Sequence, residues 1–318
     1  MKQGLKHIAL GLALLCAVHE ATAQGSIKLI VPFAAGGGVD VSARLIARQL
    51  QLNLGATVVV ENRPGASGTV GGKAVQAAAP DGNTLLYSAS THVLAKQVLA
   101  NPPYDPSVDF APVARVAEAP LLMVISPNLP QRTVREVMDA AKREPAKWTA
   151  ALPALGAASH IGTLLFANQG GLQLTTAAYR GTAPALTDVA GGHSQILIDS
   201  IISLWPMARE GRVKPIATTA SQRSGVAPNV PTAAEGGFPK LIYNSWYGVW
   251  APKTTPRAKV EALNSAFNKA VSDLARAGAF TPLGIVPVFE SPAQFASFIE
   301  GDIKNGAALL AASGFKPE

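Results

Sequence analysis

Residues 27–54 have the sequence IKLIVPFAAGGGVDVSARLIARQLQLNL, which predicts a strand, a glycine loop and a helix in succession. The first seven residues form an apolar run with the length of a buried strand, and the three glycines Gly36, Gly37 and Gly38 mark the loop that follows. The helix is expected over residues 39–54. A strand joined to a helix by a short loop is the building unit of a parallel sheet.

The same pattern repeats along the chain. A strand at 58–61 leads through a loop at 62–68 into an alanine-rich helix, which ends at the turn Pro80-Asp81-Gly82-Asn83. Later strands are predicted at residues 84–87, 121–125, 148–151, 174–178, 195–199, 213–218, 241–250 and 285–288. Helix starts are predicted at Thr133 with Glu136, at Thr255-Pro256, and at Ser291-Pro292 with Gln294. The fold class is therefore α/β.

The length of 318 residues is that of two domains of ordinary size, and two lobes would enclose a cleft. Too few strands follow residue 243 for a third sheet. We therefore expect lobe 1 to comprise residues 24–122 and 244–318, and lobe 2 to comprise residues 123–243. Each lobe is expected to be a mixed, mostly parallel sheet flanked by helices.

Residues 1–23 predict a secretory signal peptide. Lys2 and Lys6 form a basic start, an apolar run follows at 8–18, and residues 21–23 fit a small-residue cleavage site, so cleavage is expected near Ala23. The only cysteine, Cys16, lies inside this segment, so the mature chain has no thiol chemistry. Removal of the signal changes the formal charge from +7 to +6, with lysines and arginines scattered singly. This pattern disfavours nucleic-acid binding.

Several familiar kinds of chemistry are poorly supported. A dinucleotide fingerprint starting at Gly36 would need glycine where Val41 stands, and a phosphate loop ending at Gly72-Lys73 lacks its first glycine. There is no G-x-S-x-G elbow, and Ser159-His160 are adjacent, which is unsuited to a nucleophile and its base. The histidines of the mature chain are isolated from one another. No metal ion or cofactor is implied.

Small and hydroxyl residues recur instead at the loops that follow predicted strands. These loops lie at residues 36–38, 67–68, 90–92, 156–160 and 181–183. The carboxyl ends of parallel strands are where open α/β folds bind ligands. Each loop alone is explained by a turn or a helix cap, but together they predict a binding site in the cleft.

A series of short motifs resembles the Bug family, the TctC-type periplasmic substrate-binding proteins of tripartite tricarboxylate transporters. The motifs are Pro32-Phe33 with Gly36-Gly37-Gly38 and Asp40, Glu61-Asn62-Arg63-Pro64-Gly65, Pro80-Asp81-Gly82, Asp109-Phe110, Ser159-His160, Tyr179-Arg180-Gly181, Val230-Pro231-Thr232, Trp246-Tyr247-Gly248 and Ala251-Pro252. The resemblance covers nearly the whole mature chain.

This resemblance implies a two-lobed Venus-flytrap fold that captures a small organic carboxylate and delivers it to the subunits of a membrane permease. It implies a periplasmic, monomeric binding protein without catalytic activity or cofactor. Carried onto this sequence, it predicts ligand contacts from Phe33, Gly37, Gly38, Asp40, Ser67, Gly68, Thr91, His92, Ser159, His160, Thr182, Ala183 and Asp199. Donation of backbone N–H groups to a carboxylate would need no metal or arginine clamp.

One segment departs from the family pattern, and two alternatives stay open. Residues 153–158 are more apolar than the hydroxyl- and glycine-rich run of many relatives, which predicts a ligand with an apolar or aromatic body. A sensor that presents its ligand to a signalling partner has the same sequence signature as a transport receptor. An exported hydrolase that uses Ser159 is the third possibility.

Overall fold

A computed structural model describes residues 26–318, so the predicted signal peptide and Cys16 lie outside the described residues. The strands are β1 (Ile27–Val31), β2 (Val58–Asn62), β3 (Thr84–Ser88), β4 (Phe110–Ile125), β5 (Thr149–Leu152), β6 (Thr175–Ala178), β7 (Ile196–Ser200), β8 (Lys214–Thr218), β9 (Asn244–Pro252) and β10 (Val286–Pro287). The helices are α1 (Gly38–Leu54), α2 (Thr69–Gln76), α3 (Ser90–Val93), α4 (Ala95–Val98), α5 (Val134–Arg143), α6 (Ala158–Gly170), α7 (Thr182–Gly191), α8 (Ile201–Arg209), α9 (Arg257–Arg276) and α10 (Pro292–Ala312).

The first strand, loop and helix form as the sequence predicts. Every residue of β1 except Lys28 is buried. Helix α1 turns a small and apolar face inward through Ala43, Ile46 and Leu50. It ends at Gly55, which takes a left-handed conformation with φ 64° that glycine adopts at little cost. Local sequence and burial therefore agree over this segment.

The strands form one continuous sheet in the order β2-β1-β3-β9-β4-β7-β5-β6, and β8 and β10 pair with β4. Pairing is parallel at both ends, where β1 joins β2 and β3, and β5 joins β6 and β7. In the middle, β4 and β9 run antiparallel to their neighbours. The molecule is thus a two-lobed α/β fold with mixed sheets.

Strand β4 is 16 residues long and belongs to both halves of the sheet. Its residues 110–120 pair with β9, and its residues 121–125 pair with β7. The sequence predicted only residues 121–125 as strand, because Pro112 and Pro120 disfavour a strand interior. The register shifts between Pro112 and Ala114, so a bulge accommodates the first proline.

Two apolar clusters lie in opposite halves of the sheet. One surrounds Trp250 and Phe295, which bring α10 against β9. The other surrounds Met123 and Phe166, on the far half of β4 and on α6. Because β4 contributes buried residues to both clusters, the two lobes share their central strand.

The helix starts confirm two of the three predicted caps. The Thr133 hydroxyl accepts the N–H of Glu136, and Ser291 and Gln294 form a complete capping box. At the third site the prediction was wrong by one position: Pro256 is itself the N-cap residue of α9 rather than its first helical residue. Within residues 26–318, no helix combines the length and apolarity needed to cross a membrane.

Gly248 provides a test of the packing around β9. A Cβ at this position would overlap the Phe295 ring and lie 3.0 Å from Trp250. We expect Gly248→Ala to lower the free energy of unfolding by about 1–3 kcal/mol, the range for overpacking a core. Gly301→Ala on the exposed side of α10 is the matched control, since nothing lies within 4 Å of its added Cβ. It should raise stability by up to about 1 kcal/mol. Urea unfolding measures both, and equal effects would contradict this account.

Candidate functional site

Three helix N-termini meet at one cavity in the cleft. The cavity is lined by Phe33, Gly37, Gly38, Val39, Ala89, Thr91, Pro153, Ala154, Ala157, Ala158, Gly181, Thr182, Asp199 and Ser245. This set contains the first residues of α1, of α6 and of α7. The first turn of a helix has N–H groups with no partner inside the helix, and it carries a partial positive charge.

None of these three helices has a side-chain cap. The N-cap residues are Gly37 for α1, Ala157 for α6 and Gly181 for α7, and no side chain of these residues can accept a hydrogen bond. Ordinary N-cap residues such as serine or aspartate would occupy the first N–H groups. The cavity is therefore surrounded by uncapped donors, which is the usual composition of an anion site.

A side chain from the first turn of the helix accepts a loop N–H both before α1 and before α6. Asp40 accepts the N–H of Gly36 at 2.9 Å, and His160 accepts the N–H of Gly156 at 3.1 Å through Nδ1. In both helices the accepting side chain stands three residues after the N-cap. It satisfies the loop N–H that precedes the cap and leaves the first-turn N–H groups of the helix uncommitted.

Close approach of the chain around α1 requires glycine. A Cβ on Gly38 would lie 2.7 Å from the Tyr247 hydroxyl and 3.2 Å from Ser200. A Cβ on Gly37 would lie 3.3 Å from the Thr182 hydroxyl, which belongs to the other side of the cleft. The contact at Gly38 is below 3.0 Å, so a larger residue there would displace the N-terminus of α1; the 3.3 Å contact at Gly37 is tight enough that Thr182 would have to move by a few tenths of an ångström.

Asp199 is the only acidic residue among the described residues that line the cavity. Its Oδ2 accepts the Thr182 hydroxyl at 2.6 Å, and its Oδ1 accepts the N–H of Ser200 at 2.8 Å. Burial raises the pKa of Asp199 to about 6, and the two hydrogen bonds oppose this shift only in part. The carboxylate thereby fixes Thr182 at the start of α7.

Direct hydrogen bonds join the two sides of the cleft. Ala34 N–H donates to the Arg180 carbonyl at 3.1 Å, and Leu155 N–H donates to the Ser67 hydroxyl at 3.3 Å. Ser67 and its neighbour Ala66 take left-handed conformations, with φ 50° and 43°, which are strained for residues with a side chain. This strained turn brings the Ser67 hydroxyl across the cleft.

The structure brings eight of the thirteen predicted site residues to the cleft. Those lining the cavity are Phe33, Gly37, Gly38, Thr91, Thr182 and Asp199. Ser67 and Gly68 line a smaller neighbouring crevice, which also contains Arg180.

The other five predicted residues line neither cavity. They are Asp40, His92, Ser159, His160 and Ala183. Asp40 is buried and accepts hydrogen bonds from Arg44 and Asn62. Burial raises the pKa of Asp40, but the hydrogen bonds from Arg44, Gly36 and Asn62 together lower it by more, so the pKa lies below its usual value. Ala183 faces Gly36 across the cleft, 3.7 Å from the position of an added Cβ. Sequence position alone did not distinguish residues in the cavity from those that support its loops.

The two histidines of the predicted site, His92 and His160, are buried and neutral at pH 7. The His92 ring packs edge-on against Phe110 and Trp250, at centroid distances of 4.5 and 4.8 Å, and burial lowers its pKa to about 3. Burial lowers the pKa of His160 to about 4. His92 therefore belongs to an aromatic core.

The geometry around Ser159 does not match that of a hydrolase. Its hydroxyl is fully buried without a hydrogen-bond partner, and the neighbouring His160 uses Nδ1 for the loop N–H of Gly156. A nucleophile needs a base within hydrogen-bond reach. Across residues 26–318, no three histidine, cysteine, aspartate or glutamate side chains are grouped so that they could hold a metal ion.

Eight residues that line the cavity are absent from the predicted contacts: Val39, Ala89, Pro153, Ala154, Ala157, Ala158, Gly181 and Ser245. The last five before Ser245 lie in or beside segments that the sequence singled out at residues 153–160 and 181–183. Val39 directly follows the loop predicted at 36–38, and Ala89 directly precedes the loop predicted at 90–92, so a wider window at each strand end would have included them. Ser245 lies at the start of β9, which runs antiparallel to its neighbours. No rule about the carboxyl ends of parallel strands points to it.

The raised pKa of Asp199 predicts a pH-dependent effect on stability. Below about pH 4 the carboxyl is protonated in both folded and unfolded chains; between about pH 4 and pH 6 only the folded protein keeps the proton. The stability that Asp199 contributes therefore falls as pH rises through this range. The asparagine side chain of Asp199→Asn does not titrate, so the variant lacks this loss of stability. The free energy of unfolding of Asp199→Asn minus that of wild type should therefore increase by about 2 kcal/mol between pH 4.5 and pH 7.5. Urea unfolding at both pH values measures this difference, and a constant difference would contradict the assignment.

Comparisons with known proteins place the chain in a family. The family model described as "Tripartite tricarboxylate transporter family receptor" matches residues 42–315. Protein BugT of Bordetella pertussis is 37% identical over 292 residues, which cover 91% of this chain and 90% of BugT.

Two solved structures from Rhodopseudomonas palustris are similar in fold. MatC with bound malate has a TM-score of 0.84 and 31% identity, covering 90% of this chain and 98% of MatC. A protein with adipate has a TM-score of 0.88 and 30% identity, covering 92% of this chain and 98% of that protein. This chain therefore belongs to the tripartite tricarboxylate transporter receptor family, the Bug or TctC type of periplasmic solute-binding proteins, which is a family of receptors and not of enzymes.

Proposed function

We propose that this protein binds a small organic carboxylate in its cleft and delivers it to a membrane permease of the tripartite tricarboxylate type. The observation that carries the proposal is the meeting of three uncapped helix N-termini at one cavity. Backbone N–H groups that point at a carboxylate form charge-assisted hydrogen bonds, which are stronger than neutral ones. The malate and adipate bound to two structural relatives support a carboxylate as the ligand.

The ligand carboxylate is bound by main-chain donors from both lobes. The first turns of α1 and α7 supply the N–H groups of Gly38 and Thr182, and the first turn of α6 supplies that of Ala158. Thr91 and Ser245 add hydroxyl groups from the cavity wall. Asp199 acts by holding Thr182, and Asp40 and His160 act by holding the loops before α1 and α6.

The two lobes move about the strands that they share. Lobe 1 comprises residues 24–122 and 244–318, lobe 2 comprises residues 123–243, and β4 and β9 form the hinge. Ligand capture closes the lobes, because one anion then satisfies donors on both. The protein acts as a monomer in the periplasm after cleavage of its signal peptide near Ala23.

A thermal-shift screen tests carboxylate binding. The mature protein is unfolded, dialysed and refolded to remove carried-over ligand, and then mixed with mono-, di- and tricarboxylates and aromatic acids. Ligand at a hundred times its Kd stabilises the folded state by about 2.7 kcal/mol, which raises Tm by several degrees. We expect a selective shift with one class of carboxylate. A folded protein whose Tm no carboxylate changes would refute the proposal.

Delivery to a permease needs a cellular experiment. In a strain that lacks this chain, uptake of the radiolabelled ligand should fall and should recover when the chain is expressed from a plasmid. Normal uptake in the deletion strain, together with a lost transcriptional response to the ligand, would support a sensor and contradict delivery.

Gly37→Ala tests the role of the paired N-termini of α1 and α7. The added methyl group would lie 3.3 Å from the Thr182 hydroxyl, so it should hold the lobes slightly apart. We expect ligand affinity to fall at least about tenfold, equivalent to about 1.4 kcal/mol, with little change in unfolding. Gly225→Ala is the control, since its added Cβ has nothing within 4 Å. Isothermal titration calorimetry measures both variants, and unchanged affinity in Gly37→Ala would contradict the assigned geometry.

A further inference from the structure

The side chains around the cavity are mainly apolar. Lobe 2 contributes a wall made of Pro153, Ala154, Ala157 and Ala158, and the facing wall is made of Phe33, Val39 and Ala89. None of these side chains can form a hydrogen bond. The polar side chains in the lining are limited to the hydroxyls of Thr91, Thr182 and Ser245 and the carboxyl of Asp199.

The cavity lining contains no cationic side chain. Among the described residues that line it there is no lysine, arginine or histidine. Positive potential therefore comes from the helix N-termini, each equivalent to roughly half an elementary charge. Three such termini supply about one and a half charges, and ionised Asp199 removes one of them. The positive charge that remains is too small to balance two carboxylates on one ligand.

A second carboxylate on the ligand would be poorly placed. Within the cavity it would lie against the apolar walls, where a charge without a partner has a large desolvation cost, or beside Asp199, where it would be repelled. The cationic Arg180 lines only the neighbouring crevice beyond Phe33, Pro153 and Ala154. Malate and adipate, which the two structural relatives bind, each have two carboxylates. The lining of this cavity favours a different kind of molecule.

Resting on the proposed function, we propose that this cleft selects a monocarboxylate with an apolar body, and that Asp199 determines the exclusion of a second carboxylate. The single carboxylate is bound by the uncapped N-termini. The apolar body packs on the Pro153 to Ala158 wall and opposite Phe33.

The surroundings of Asp199 leave its charge uncompensated by any cation. From α7 it is faced by Thr182, from the end of β7 by Ser200, and from β9 by Tyr247, whose pKa is raised by burial and, to a lesser degree, by Asp199. The carboxyl titrates near pH 6, so it is mostly ionised at pH 8 and mostly protonated at pH 5. Selection against a second carboxylate should therefore be stronger at pH 8.

The test compares ligands matched in chain length. Isothermal titration calorimetry on refolded mature protein at pH 8 measures butanoate, pentanoate, hexanoate and benzoate against succinate, glutarate, adipate and terephthalate. We expect the best monocarboxylate to bind at least about tenfold tighter than its matched dicarboxylate. In Asp199→Asn at the same pH, this ratio should fall severalfold.

Ala154→Ser tests the apolar wall separately. It adds one hydroxyl to a side chain that lines the cavity and is otherwise buried. We expect it to weaken binding of the best apolar monocarboxylate severalfold. The affinity of that monocarboxylate relative to its matched dicarboxylate should therefore fall as well. The far-UV circular dichroism and urea midpoint of each variant establish that it is folded before titration.

The outcomes separate this inference from the proposed function. A dicarboxylate that binds as tightly as its matched monocarboxylate, or tighter, would overturn the inference and leave carboxylate binding intact. A ratio that is the same in wild type and Asp199→Asn would overturn the role of Asp199. If no member of either series and no other carboxylate binds the folded protein, the proposed function itself fails.

Discussion

The site depends on backbone N–H groups that the helices themselves cannot satisfy. Each α-helix begins with donors that need an acceptor from elsewhere, and most helices obtain one from a serine, threonine, aspartate or asparagine at the N-cap. Helices α1, α6 and α7 have glycine or alanine there, and all three start at the same cavity. Other helices of the described residues also begin without a side-chain cap, but these three start at one cavity, where a single bound anion could accept hydrogen bonds from all three.

The remaining features of the cleft serve this arrangement. Small residues let the N-termini approach each other, since Gly37 and Gly38 lie against side chains from the facing side. Asp40 and His160 bind the loop amides next to the caps, so the loops are ordered without any use of the helix donors. Lysine and arginine are absent from the described residues that line the cavity, because the main chain at the helix N-termini supplies the positive potential there.

Much of the fold follows from local pattern, and the site follows from it only in part. The strands and helices up to residue 88 were predictable because hydrophobic pattern, glycine loops and turns all agree there. The first part of β4 was hidden by Pro112 and Pro120, which are accommodated only through pairing with the partner strand β9, at a bulge in the case of Pro112. The structure places Gly37, Gly38 and Gly181 of the predicted loops in the cavity lining. Whether a loop residue enters the cavity or turns into the core depends on tertiary packing, so His92 and Thr91 could not be separated from sequence.

The sixteen-residue strand β4 has a consequence for how the protein loses its structure. Both halves of β4 contribute buried residues, from Val113 to Val124, to one apolar cluster that includes side chains of both lobes, so neither half can leave that cluster without weakening the other. The lobes are therefore thermodynamically coupled, and they should unfold in one cooperative transition. A small molecule that binds only the folded protein would then protect both lobes from proteases that cut the globally unfolded chain.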